Sequence, residues 1–385
     1  MNNSWTRTSL GDICMFRAGT AFPKEFQGDI SGEIPFIKVS DLKHSANSLY
    51  IRHSANWVDM STVEHLKASL LYPGAIVFAK IGEGLKAERF RLVARPTCID
   101  NNLMGAIPQG VNTHFLYYLM VHTGVAHLVE GSALPYLRQS DLERIPVCVP
   151  PNDEQRRIAE VLGALDDKIE SNLRTISLSE SLILAHFSQL FNSGHVSAGT
   201  ALSDLMEVNP RYSLKRESLA IKVSMQDIPS DSPIINTHSV MPVGAGSRFS
   251  NGDVLFARIS PCLENGKTAV VDFLSGSEVG FGSTEFIILS PRGEISTTWI
   301  YALAREPNFR EACRQAMSGS SGRQRLSADF FSRYTIATPK EFDLVAFNKA
   351  TMPLLTLMGA RRDENQRLAQ LRDALLPELM SGRMR

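Results

Sequence analysis

The chain says the same thing twice, and that constrains its architecture more than any single motif. "PGAIVFAKIGEGLKA" at 73–87 returns as "NGDVLFARISPCLENGK" at 251–267. The echo extends: "LGDICMFRAG" (10–19) pairs with "LSDLMEVNPR" (202–211), and "IPFIKVSDL" (34–42) with "AIKVSMQDI" (220–228). "IDNNLMGAIP" (99–108) pairs more loosely with "FGSTEFIILSP" (281–291), and "LPYLRQSDLERIPVCVPP" (134–151) with "GRQRLSADFFSRYTIATP" (322–339). Five pairs in one order, at offsets of roughly 175–195, describe a duplicated module. Two copies cannot make a solenoid, so each is expected to be a self-contained domain.

Within each copy, "GAIVFAKI" and "GDVLFARI" follow a glycine turn and carry β-branched and aromatic residues, the pattern of a strand. "FLYYLMVHTGVAHLVEG" (115–131) and "WIYALAREPNFREACRQAMSG" (299–319) have helical spacing and end at glycine. The modules therefore mix α and β without the strict alternation of a doubly wound sheet, an α+β class.

A long helix is expected after each module. In "PPNDEQRRIAEVLGALDDKIESNLRTISLSESLILAHFSQLFNSG", Asn152 and Gln155 stand at capping-box spacing, with Asp153 and Glu154 in the first turn. Ile158, Leu162, Leu165, Ile169, Ile176, Ile183 and Leu190 follow a four-three rhythm, with Asn172, Ser179 and His186 as polar members. About 37 residues at 1.5 Å each give a rod of roughly 55 Å. Asp166, Asp167 and Glu170 read as its solvated face, and Val161, Leu173, Leu182 and Phe187 as apolar surplus for a docking partner. The second helix is expected from Pro339, capped by Thr338, with an apolar stripe of Leu354, Leu357, Leu368, Leu371 and Leu375. Pro353 is expected to break or kink it. An antiparallel pairing would set the modules at opposite ends of one rod. The expected division is a first module over 1–151, a central helix over 152–194, a second module over 195–338 and a C-terminal helix over 339–385.

Module, long helix, module, long helix resembles the specificity subunit of type I restriction–modification systems over essentially the whole chain. "RIPVCVPPNDEQRRIAEVLGALDDKIE" is similar to that family's lead into its central helix, and "LPYLRQSDLERIPV" and "GRQRLSADFFSRYTI" to the segments before each helix. "TPKEFDLVAFNKAT" departs from the pattern by lacking the Glu-Gln-Arg run. The resemblance implies a non-catalytic DNA reader in which each target-recognition domain reads half of a split, asymmetric double-stranded site. It implies that the helices set the gap and dock two methyltransferase subunits, with restriction subunits joining to make a nuclease. It also implies that cofactors lie outside this chain: S-adenosylmethionine, and ATP with Mg where a restriction subunit is present, bind the partners.

Candidate DNA contacts follow from residue type and place. Lys80 and Arg258 occupy matching strand ends, followed by Lys86 and Lys267, and Arg89 extends the first cluster with Arg91 and Arg95. Such cations reach phosphates or guanine edges, although a solvated strand end fits too, and Glu83 and Glu88 offer surface pairing. Arg138-Gln139 and Arg323-Gln324-Arg325 place guanine-type and adenine-type readers on turn-rich loops, the second beside a Ser/Gly run at 318–322. A polar connection before a strand is the alternative.

Other chemistry finds little support. Net charge is zero, from 40 basic and 40 acidic residues, so composition itself gives no nucleic-acid signal, though a neutral total allows one basic face. Five scattered cysteines suit a reducing compartment, and the N-terminal stretch shows no signal-peptide core, so a cytoplasmic setting is expected. "NPRY" (209–212) resembles the Asn-Pro-Pro-Tyr motif of amino-methyltransferases, but Arg211 replaces the second proline and a structural turn fits better. "IGEGLKA" fits a dinucleotide fingerprint, yet arginines and a proline follow where a long helix is required. No phosphate-binding P-loop and no H-x-x-x-H cluster occurs, and His122 and His127, on an expected helix, read as ordinary surface or core residues. A DNA adenine methyltransferase and a coiled-coil protein-binding scaffold remain as alternative readings.

Overall fold

The structure, a computed structural model, describes residues 5–44, 46–129, 135–191, 194, 196, 198–320 and 322–383. Leu134, His195, Ser321 and the end of the 115–131 segment, on which expectations above partly fall, lie outside the described residues. The chain divides into two compact units: Met1–Ser171 with Asn365–Arg385, and Asn172–Glu364.

In the first unit, a five-stranded sheet runs in the order Cys14–Ala18, Leu103–Pro108, Ile76–Ala79, Arg91–Val93, Tyr50–Ile51. A second sheet orders Trp57–Val58, Ile34–Ile37, Thr97–Ile99 and Leu70–Leu71. Thr6–Ser9 pairs separately with Pro146–Val149. The strand "IVFA" is apolar throughout because both its faces are covered. Ile76 and Phe78 join the core built on helix Thr113–Thr123, while Val77 and Ala79 pack with Ile37, Leu71 and Ile99. Alternate side chains thus serve two cores.

The second unit repeats this plan. Glu207–Val208, Phe286–Ser290, Val254–Ala257 and Thr268–Val270 form one sheet, and Ser239–Pro242, Leu219–Val223, Gly280–Gly282 and Arg248–Phe249 another. Thr200–Ala201 pairs with Thr335–Ile336. Registers coincide: Leu103 faces Ala79 as Phe286 faces Ala257. Val254 and Phe256 face the core around Trp299, and Leu255 packs with Ile288 on the other side.

The central helix spans Asn152–Leu190 and the C-terminal helix Glu341–Met380. In the first unit, Ile158 and Leu162 share a core with Leu376, Leu379 and Met380, and Arg372 Nη1 lies 2.6 Å from Asp166 Oδ1. In the second, Asn172 donates to Glu364 at 3.0 Å, and the Phe187 and Phe347 rings lie 6.2 Å apart. Rising numbers on one helix meet falling numbers on the other, so the helices are antiparallel within each unit. The expected seam is buried at Ile158, Leu162, Asn172, Ile176, Ser179 and Ile183.

Several expectations need correction. Asp166 and Glu170 are buried: the Asp166 carboxylate accepts from Tyr118 Oη at 2.7 Å as well as Arg372, and Glu170 pairs with Arg52. A hydrophobic count cannot anticipate carboxylates whose partners come from distant sequence. Phe187 is 1% exposed and packs against Phe191, Trp299 and Phe347, so it belongs to the core and is not a docking surface. The C-terminal helix begins at Glu341, not Pro339, and runs through Pro353. Pro353 is exposed, where water can satisfy the carbonyl that its missing N–H abandons. The 299–319 segment is two helices, Thr297–Arg305 and Pro307–Gln315, because Pro307 starts a new one capped by the Glu306 carboxylate. The expected capping box does not form: the helix begins at Asn152 itself, the Gln155 N–H goes to the Pro151 carbonyl at 3.0 Å, and the Gln155 side chain accepts the Asn112 N–H at 2.9 Å and donates to the Pro150 carbonyl at 2.9 Å.

Candidate nucleic-acid interface

Where strand Ile76–Ala79 ends, the Lys80 N–H donates to the Asn102 carbonyl at 2.9 Å, and the Lys80 carbonyl accepts the Leu137 N–H at 2.9 Å. Ile81 then forms a bridge with Tyr136. Where Val254–Ala257 ends, the Arg258 N–H donates to the Glu285 carbonyl at 3.0 Å, and its carbonyl accepts the Leu326 N–H at 2.8 Å. Ile259 bridges Arg325. One backbone stitch therefore joins strand end and loop in both units, bringing Lys80 beside the Arg138 loop and Arg258 beside the Arg325 loop.

The stitch also fixes which residues correspond. Tyr136 matches Arg325, Leu137 matches Leu326 and Asn102 matches Glu285. Arg138-Gln139 accordingly correspond to Ser327-Ala328, one residue beyond the Leu326-Ser327 that the sequence echo sets opposite them. The loops are equivalent; their readers are displaced by a few residues.

Side-chain environments differ between the copies. Lys80 is 8% exposed, with its ammonium 5.9 Å from the centre of the Tyr136 ring, a cation–π distance. Arg325 instead forms a two-pronged pair with Glu285 at 2.7–3.0 Å. That hydrogen bonding holds the Glu285 carboxyl below the usual glutamate range. Arg258 Nε is buried without an acceptor among the described residues. Beside it opens a groove of about 490 Å³ to which Arg211 and Arg248 also contribute.

The remaining candidates separate into free and committed groups. Arg138 and Arg323 are exposed, and neither side chain has a partner among the described residues. Arg89 is half-buried, likewise without a partner among them. Lys86 pairs with Glu83 at 2.8 Å and Gln139 donates to Glu143 at 2.8 Å. The Gln324 carbonyl accepts the Ser260 N–H at 3.0 Å, tying the loop down. Lys267 turns inward, its Nζ donating to the Met225 and Ile228 carbonyls at 2.7 and 3.0 Å. Arg91 and Arg95 do not pair with the neighbouring glutamates: Arg91 reaches the Phe90 and Leu42 carbonyls, and Arg95 lies over Trp57. Glu88 is occupied by the Ala126 N–H at 2.7 Å.

Val161 and Leu182 are exposed on the central helix, 46% and 50%, and Leu173 is half-buried. Tyr136, Asn102, Glu285, Arg211 and Arg248 escaped sequence reasoning. Exposed Tyr136 inside a basic loop was the one available signal; the others depend on strand register. "IGEGLKA" forms the five-residue helix Gly82–Lys86 followed by strand Arg91–Val93, not the long helix a dinucleotide site requires. Among the described residues, no His/Cys/Asp/Glu group suits a metal ion and no helix is long and apolar enough to cross a membrane.

Residues 2–177 match the family described as Type I restriction modification DNA specificity domain. The specificity subunit of the type I restriction enzyme MjaIX from Methanocaldococcus jannaschii is 26% identical over 182 residues, 46% of this chain and 41% of its own. That of EcoAI from Escherichia coli is 30% identical over 152 residues, 36% of this chain and 25% of its own. The matched stretches thus span less than half of these relatives. A crystal structure of the S subunit of a type I restriction–modification system from M. genitalium shares the fold, with a TM-score of 0.58 at 15% identity over 98% of this chain and 97% of that one. The first part of the chain is thus similar to type I restriction modification DNA specificity domains, and the chain over nearly its whole length has the fold of a solved S subunit.

Proposed function

We propose that this chain is the non-catalytic reader of a type I restriction–modification complex, each unit's stitched loop reading one half of a split, asymmetric duplex site. The single observation carrying this reading is the repeated backbone stitch dressed with unlike side chains. Lys80, Tyr136 and Asn102 in one unit correspond to Arg258, Arg325 and Glu285 in the other. One scaffold with two chemistries suits two different words. A single reader is discriminated by roughly 1–3 kcal/mol per mismatched base pair, too little against a genome of competing sites. Two readers on fixed supports multiply their selectivities.

In this reading, the target-recognition domains are 1–151 and 195–338, and the helices of 152–194 and 339–385 set the gap and dock two methyltransferase subunits. Exposed Val161 and Leu182 support a docking face on the central helix. S-adenosylmethionine belongs to those partners, as ATP and Mg belong to restriction subunits where present. Zero net charge supports weak DNA binding by the chain alone at physiological salt, and tight binding only with partners.

The test exchanges the 195–339 module for that of a relative and selects bound duplexes from random sequence with the reconstituted methyltransferase. One half of the selected site changes and the other is retained. A change in both halves sinks the assignment.

A further inference from the structure

The groove beside Arg258 is built by a motif that the function above leaves unused. Asn209 takes a left-handed backbone, φ 52°, and its Oδ1 accepts the Ile288 N–H at 3.0 Å. Its own N–H donates to the Ile288 carbonyl at 2.7 Å, closing the strand edge. Pro210 follows with no N–H to continue the ladder, so "NPRY" leads the chain off the sheet. In the first unit the corresponding residue is Arg17, and there the chain stays on the sheet: the Gly19 N–H reaches the Leu103 carbonyl and the Thr20 N–H that of Ile99. A Cβ at Gly19 would meet the Asp100 carbonyl oxygen at 1.9 Å, so no side chain fits. The groove is thus specified by the second copy's own sequence.

Its chemistry is one-sided. Arg211, Arg248 and Arg258 line it and no acidic residue does, while Pro210, Phe286 and Ile288 give it an apolar floor. Arg211 is exposed and has no partner among the described residues. Arg258 Nε is buried with no acceptor among the described residues, and Arg248 is held by the Tyr212 carbonyl at 3.0 Å. Glu285, one residue before strand Phe286–Ser290, is hydrogen-bonded to Arg325, and its carboxylate offsets part of the Arg258 charge. Like charges in a partly enclosed concavity repel, and a buried donor lacks its acceptor. An anion with several oxygens relieves both, and guanidinium forks match phosphate geometry. The volume of about 490 Å³ accepts more than a bare ion, within the roughly 300–1,000 Å³ of small-molecule sites.

We infer that this groove is a phosphate-centred nucleotide site, with Arg258 and Arg211 on the phosphate and the sugar over the apolar floor. The inference rests on the DNA-reading assignment for its ligand, which is a nucleotide of the bound strand. A free nucleoside monophosphate shares the chemistry.

The test is arginine footprinting of the full-length chain with phenylglyoxal at low salt, quantified by mass spectrometry at Arg211 and Arg258, with Arg333 as an exposed control. Mixed-sequence duplex DNA and deoxyadenosine monophosphate are the two probes. Protection by duplex alone identifies the DNA strand as the source; protection by both shows that a single nucleotide suffices. Protection by neither overturns the site. In parallel, Arg211→Glu makes the salt dependence of duplex affinity shallower by about one unit of log–log slope, and Arg211→Lys restores it. If duplex binds Arg211→Glu with unchanged slope, the groove inference fails while the DNA assignment stands. If duplex fails to bind even the reconstituted methyltransferase complex but the monophosphate protects, the assignment fails while the groove stands.

Discussion

Leu182 and Phe187 lie five residues apart on one helix, and the structure gives them opposite fates. Phe187 is 1% exposed, with ring centroids 5.3 Å from Phe191, 5.6 Å from Trp299 and 6.2 Å from Phe347. Truncating a fully buried phenylalanine removes its transfer free energy and leaves a cavity, so Phe187→Ala destabilises the second unit by about 3–5 kcal/mol. For a unit of roughly 190 residues, each kcal/mol lowers the melting temperature by about 2–4 °C, a fall of about 6–20 °C. Leu182 is 50% exposed. Leu182→Lys changes stability by no more than about 0.5 kcal/mol, because it creates neither a cavity nor a buried charge. Calorimetry of the full-length variants reads both, and co-purification with the methyltransferase reads docking. Leu182→Lys keeps its melting temperature and loses the partner; Phe187→Ala shifts the second unit's transition down by about 6–20 °C. Equal destabilisation by the two, or a loss below about 1 kcal/mol for Phe187→Ala, would refute the placement of the central helix in that core.

Arg372→Met leaves the Asp166 carboxylate, 5% exposed, with Tyr118 alone and destabilises the first unit by about 2–4 kcal/mol. Adding Asp166→Asn recovers part of this, which a double-mutant cycle by chemical denaturation measures. Glu285→Gln releases Arg325 and removes a carboxylate beside the loop proposed to read DNA in the second unit. Duplex affinity of the reconstituted complex then rises roughly threefold at moderate salt, the share of one added phosphate contact, with a steeper salt slope in fluorescence anisotropy. Lys267→Met leaves the Met225 and Ile228 carbonyls without their donor. It lowers stability by about 1–2 kcal/mol and leaves the DNA salt slope unchanged, because that ammonium is turned inward.

The readable and unreadable parts of this molecule divide along a physical line. Duplication, strand identity and the seam through Ile158, Leu162, Ile176 and Ile183 follow from local periodicity, which each segment carries in itself. So does the equivalence of Lys80 and Arg258, which share a strand end. Asp166 and Glu170 were misread because the groups that permit their burial, Arg372, Tyr118 and Arg52, come from distant segments. The same holds for Phe187, whose apolar character is identical whether it faces a partner or its own core. Pro353 interrupts a helix in isolation, but here packing on both sides of it carries the helix through. The candidate interface is half visible in the sequence: basic loops announce themselves, whereas strand register alone reveals that Tyr136 stands where Arg325 does and that Glu285 restrains that arginine. "NPRY" looked like a turn and is one, but the groove it opens required the three-dimensional neighbours of Arg211 and Arg258.

Selection of duplex fragments from random DNA by the reconstituted methyltransferase complex tests the central claim most directly. Two unlike short words separated by a constant unread interval are the predicted outcome. A single continuous word, or no enriched sequence at all, would contradict the account.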